Sequence, residues 1–175
     1  MDLLTSTTPL NLWQDVIKNA ENRCSITLKD ELEVYLISLL MRYTNQPEAA
    51  KHIAATAFLN ALHQHHAERQ VTLQRVGDQC LLFTGLFPRI AERRHVKINY
   101  FVDIGRSAYA AISHTTNDLY GSLALQFVVL MDVLQSIRPY SDLLPLEAYE
   151  QWNELGSKRA RQALYDYTKA MPLKK

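Results

Sequence analysis

Glycine and proline are scarce: five glycines and six prolines are spread over 175 residues. A turn-rich β-sandwich or barrel needs far more punctuation than that, so the composition counts against an all-β fold. Cysteine is scarcer still. Cys24 and Cys80 form no CxxC spacing, which removes a disulfide scaffold and any thiol-based zinc or redox motif; both read as small buried apolar side chains. Charge of one sign is lacking too. Nineteen basic residues against eighteen acidic ones leave +1, too little for a global field that recruits nucleic acid, an anionic membrane or acidic substrates. The start, MDLLTSTTP, has neither the basic opening nor the apolar core of a signal peptide, so a cytoplasmic location is expected. The chain also contains no GxGxxG, GxxxxGK(S/T), GxSxG or HExxH.

What is present is helical periodicity. Leu12, Val16, Ile17 and Ala20 share one face of a helix opened by Pro9 and closed near Cys24. Leu28, Leu32, Tyr35, Leu36, Leu39, Leu40 and Tyr43 form the stripe of a second, with Thr27 or Ser25 expected to cap its start and Pro47 to stop it. An alanine-rich helix is expected over 48–66 and another over 67–83, with Gly85 as a left-handed C-cap and Pro88 opening a short basic turn. Ile98, Phe101, Val102, Gly105, Ala108, Tyr109 and Ile112 make the cleanest stripe. A helix over 117–137, capped by Thr116 or Asn117, precedes a last one over 146–170, where Gly156-Ser157 is the place for a kink or a split. Residues 119–137 have the length of a bilayer span, but Gln126, Asp132 and Gln135 are costly in hydrocarbon. The segment is therefore read as a largely buried central helix. Together these signals predict an all-α, single-domain bundle of six to seven helices spanning residues 1–175, with no membrane span.

The block over 77–109 carries a resemblance. It contains Gly77-Asp78, Leu82-Phe83, Gly85-Leu86-Phe87-Pro88 and Arg93-Arg94, then Tyr100-Phe101-Val102, Gly105 and Ala108-Tyr109. This resembles a family of bacterial helical proteins of unknown function with a GD…LF(S/T)GxFP…RR…YYVxxGxxAY pattern. The resemblance covers about a third of the chain and implies a small bacterial helical protein. It supplies no reaction, substrate or cofactor.

Several residues in and around that block invite a chemical reading. Gly77 and Gly105 fall inside expected helices, where glycine costs about 1 kcal/mol relative to alanine, so each marks a close helix crossing or space for a ligand. Asp78, next to Gly77 among apolar neighbours, needs a partner, and Arg93 or Arg94 is the expected one. Asp103 and Arg106 lie three apart opposite the apolar stripe, as a surface ion pair would. Were that face to line a cleft, Asp103 would serve as a base and Arg106 as an anion anchor. The histidines His52, His63, His65 and His66 read as the polar end of a helix rather than a metal site. Glu92 and His95 give one Glu-x-x-His where a di-iron centre needs two. The basic clusters at 89–97 and 158–161 read as solvated helix faces, with nucleic acid disfavoured by the overall charge and the missing motifs.

These readings favour a non-enzymatic interaction or regulatory protein acting as a homo-oligomer, because Val34, Ile37 and Met41 widen the apolar face of the second helix beyond one core's need. Self-association or another protein is the expected partner, and no cofactor, metal site or catalytic residue is expected. The alternative is a helical small-molecule binder with an apolar pocket near Gly105 and Tyr109 and an anchor from Arg93, Arg94 or Arg106. A third reading is an enzyme using Asp78, Asp103 and Arg106.

Overall fold

The computed structural model describes residues 8–45, 55–89, 97–115, 117–139 and 143–169. The fold is all-α, with nine α-helices and no strand among the described residues. Helix α1 (Pro9–Cys24) begins at Thr8, whose side chain accepts from the Asn11 N–H, and places Pro9 where a missing N–H is harmless. It ends at Ser25, which adopts a left-handed conformation with φ of 53°. Ser25 thus closes α1 rather than capping the next helix, as the sequence had suggested. Helix α2 (Asp30–Asn45) instead opens on Asp30, Glu31 and Glu33, which suit the positive end of its dipole. The turn between the two is held by buried Glu21, whose Oε1 accepts from the Leu28 N–H at 2.7 Å.

Helix α3 (Ala55–Ala61) gives way at residues 62–65 to α4 (His66–Leu86); residues 46–54, including His52, lie outside the described part. Gly85 is no left-handed cap. It lies inside α4, where a Cβ would stand 2.5 Å from Leu134. Helix α5 (Ile98–Ile112) spans the residues its stripe predicts. The expected 117–137 helix divides into α6 (Leu119–Leu125) and α7 (Phe127–Gln135), kinked at Gln126, whose ψ of 13° is not helical. Its cap is Asp118 rather than Thr116 or Asn117: Asp118 Oδ1 accepts from the Gly121 N–H at 2.7 Å. The last expected helix splits where Gly156-Ser157 suggested, into α8 (Pro145–Glu150) with a π-helical turn (Gln151–Leu155), and α9 (Lys158–Thr168). No helix among the described residues is long and apolar enough to cross a membrane.

Helices α4 and α5 form the most extensive pair, and α7, almost wholly buried, packs across them. The glycines explain the close approach. A Cβ on Gly105 would fall 2.5 Å from the Phe127 ring and 2.8 Å from Cys80 Cβ, and one on Gly77 would fall 2.6 Å from the Tyr109 ring. Three helices meet where only glycine fits. Helices α8 and α9 enclose a small separate cluster of Leu143, Ala148, Ala160, Ala163 and Leu164. That unit is tied to the main core by polar contacts, Ser157 to Asp132, Arg159 to Ser136, and Asn99 to Glu154, and by Leu155, which packs against the main core.

Candidate functional site

Among the described residues, the most concentrated polar chemistry surrounds Asp78. The dipeptide Gly77-Asp78 on α4 admits and then holds a tyrosine. Gly77 lacks the side chain that would collide with the Tyr109 ring, and Asp78 receives that ring's hydroxyl at 2.7 Å. Tyr35 on α2 donates to the same Oδ1 at 2.5 Å, and the Arg42 guanidinium pairs with Oδ2 at 3.2 Å. Gln74, one turn before Asp78, donates to the Tyr35 hydroxyl at 3.4 Å. Tyr35 and Arg42 are seven residues apart, so two turns of α2 aim both at one carboxylate. Tyr109 is fully buried, with its ring stacked on Tyr120 at 6.3 Å and tilted against Phe127 at 6.1 Å.

The titration of these groups follows from burial. Asp78 is raised above an ordinary carboxylate because burial disfavours its charge, an effect opposed by the Tyr35 and Tyr109 hydroxyls and by Arg42. Burial first, and the Asp78 charge second, push both phenols well up. For Arg42 burial acts downward, and the Asp78 charge and the contacts with Tyr35 and Asp78 outweigh it, so the guanidinium holds its proton more firmly. Neither tyrosine is thereby activated as a base or nucleophile, and Asp78 already accepts from three donors. The cluster fixes Tyr35, Tyr109 and Arg42 around one buried carboxylate.

Helices α2 and α4 are not among the closely packed helix pairs. Tyr35 and Arg42 bridge the gap between them, and a cleft of about 260 Å³ opens beside the bridge. Its α4 wall is one helix face, Val71, Gln74, Arg75, Asp78 and Leu82, at offsets 0, 3, 4, 7 and 11. Leu39, Arg42 and Tyr43 form the α2 wall. The Arg42 guanidinium carbon stands 6.0 Å from the Tyr35 ring centre, which holds the charge on a π-face at the rim.

Comparison with family models, curated proteins and solved structures finds no match. The site must therefore be read from its own residues.

Of the residues singled out by sequence, the structure brings together Asp78 and Tyr109. Arg93 and Arg94 lie outside the described residues, and the cation at Asp78 is Arg42 from another helix. Asp103 and Arg106 are exposed on the far side of α5, line none of the clefts described here, and form no ion pair with each other. The apolar pocket expected beside Gly105 and Tyr109 is filled by the Phe127 ring; the open space lies on the α2 side of Asp78. His63, His65 and His66 are exposed, and no metal-binding group of three occurs among the described residues. Sequence reasoning missed Tyr35, Arg42 and Gln74 as a unit. Tyr35 sat on an apolar stripe and passed for core, yet a lone arginine two turns later on the same face was a usable signal.

Proposed function

We propose that this chain is a non-catalytic helical binding protein that takes a small organic anion into the α2–α4 cleft. The observation that carries this reading is the pre-set arginine: Asp78 fixes Arg42 at the rim, and a guanidinium keeps further N–H donors after pairing one nitrogen. Arg75 is a second cation on the opposite wall, Gln74 and Gln79 add amide groups, and Leu39, Val71 and Leu82 supply apolar surface. A volume of about 260 Å³ suits a compact carboxylate with a hydrocarbon or aromatic body. A bacterial setting, expected from the resemblance, and a cytoplasmic location belong to the same proposal.

Thermal unfolding with benzoate and with neutral benzamide tests it. Benzoate should raise the midpoint and benzamide should not, since only the anion engages the arginines. Arg75→Gln, an exposed change that spares the buried cluster, should remove most of the benzoate effect. Equal shifts from both compounds, or none from either, would end the proposal.

A second reading, homo-oligomeric association, has its own support. An apolar groove of about 380 Å³ runs between α1 and α2, with Leu10 and Val34 exposed along it.

A further inference from the structure

A second cleft, of about 580 Å³, lies between the C-terminal ends of α1 and α7 and the first turns of α9. Four cations line it, Arg23, Lys158, Arg159 and Arg161, against one carboxylate, Asp166. In a chain whose net charge is only +1, this is a local concentration of one sign. Two of the cations are locked in place. Arg23 donates to the Ser136 and Ile137 carbonyls at 3.0 and 2.8 Å, and Arg159 donates to Ser136 Oγ at 3.0 Å. The other two are not. Neither Lys158 nor Arg161 forms an ion pair with any described residue. They share one face of α9 with Gln162 and Tyr165, at offsets 0, 3, 4 and 7.

Of the four charges, Arg159 also faces buried Asp132 beneath the helix start. The N-terminus of α9 is already satisfied by Ser157 and by buried Asp132, which accepts from Ser157 Oγ at 2.5 Å and the Lys158 N–H at 2.9 Å. Asp166 Oδ1 accepts from Gln162 at 3.0 Å. Clustered cations repel one another unless an anion sits among them. Guanidinium and ammonium groups are donors only, so the complementary ligand is rich in acceptors and multiply negative. Cys24 also borders the cleft, but burial pushes its thiol up and Sγ donates to the Ala20 carbonyl at 3.1 Å, so it is no nucleophile. Pro139 and the half-exposed Tyr165 ring offer an apolar wall for an organic body.

We propose that this cleft binds a phosphate-bearing small molecule of about mononucleotide size, with Lys158 and Arg161 closing on the phosphates and Arg23 and Arg159 forming a fixed cationic floor. The inference is independent of the α2–α4 cleft. Calorimetric titration of the full chain with inorganic diphosphate and with adenosine 5′-diphosphate, at ionic strength matched with sodium chloride, tests it. One molecule per chain should bind. The double variant Lys158→Gln/Arg161→Gln should weaken binding at least about tenfold, as expected for two lost charge-assisted contacts. Both side chains are exposed, and an unchanged far-ultraviolet circular dichroism spectrum would certify the fold. Arg75→Gln in the other cleft should leave the affinity unaltered. Binding no stronger than the chloride control, or equal affinity in the double variant, overturns the proposal. Saturable binding of a twelve-nucleotide oligouridine without diphosphate binding overturns it as well, since the cleft would then serve a polymer.

Discussion

Asp132 is the residue whose titration is easiest to test. It lies on α7 with 1% of its surface exposed, and burial pushes its pKa up to about 6 despite the Ser157 hydroxyl and the Lys158 N–H. A carboxyl raised above its unfolded value of about 3.9 binds a proton more tightly folded than unfolded. Between those two pKa values the native state therefore holds more protons, and stability falls as pH rises through the window. From pH 5 to pH 7 this group alone should cost about 1 kcal/mol. Asp132→Asn removes the titration while keeping the shape. Its amide cannot accept from both donors, so the variant should be less stable throughout. The informative quantity is the gap between the two proteins in urea unfolding: it should be wider at pH 5 than at pH 7 by about 1 kcal/mol. Equal gaps at both values would mean that Asp132 titrates as an ordinary carboxylate.

At the scale of elements, the joint between the π-helical turn and α9 rests on two residues of different importance. Gly156 takes φ of 72°, and nothing stands within 4 Å of where its Cβ would be. Gly156→Ala should then cost only the left-handed penalty, about 1 kcal/mol. Ser157 does more: its Oγ accepts from the Ala160 N–H at 3.0 Å while donating to Asp132. Ser157→Ala removes a cap and deprives a buried carboxylate of a donor, for a loss of about 2–3 kcal/mol in urea unfolding. If the glycine variant proved the costlier, backbone geometry rather than the cap would hold the joint. The same contrast explains which elements were legible in sequence. Helices α1 and α5 follow from periodicity, a local property that Pro9 and the stripe from Ile98 to Ile112 display without help. The kink at Gln126 has no breaker residue at the kink itself. The caps were misassigned because several polar residues compete locally: Ser25 closes α1 through its left-handed backbone, Glu21 claims the Leu28 N–H, and Asp118 collects the His114, Thr115 and Gly121 N–H groups. Neighbours in the sequence did not reveal which of several polar residues would win.

For the whole molecule, the Asp78 cluster draws on three helices, α2, α4 and α5, separated by 43 and 31 residues along the chain. Gly77-Asp78 was visible as an unusual pair, but its partners became visible only when the chain brought those helices together. The apolar face of α2 has the same history. Its width suggested a partner surface built from Val34, Ile37 and Met41. In the fold Ile37 is 4% exposed and Met41 is half-buried against the core, whereas Val34 stands 66% exposed beside Leu10, which is 45% exposed. A charge at Ile37 would therefore unfold the bundle rather than test an interface. Val34→Lys alters the groove without entering the core, so the two effects separate. With a net charge near zero, little global repulsion opposes contact between copies. If the α1–α2 groove joins two chains, size-exclusion chromatography with light scattering should give a dimer for the wild type and a monomer for Val34→Lys, with superimposable circular dichroism. A monomeric wild type, or a dimer that survives the substitution, would remove the groove as the contact.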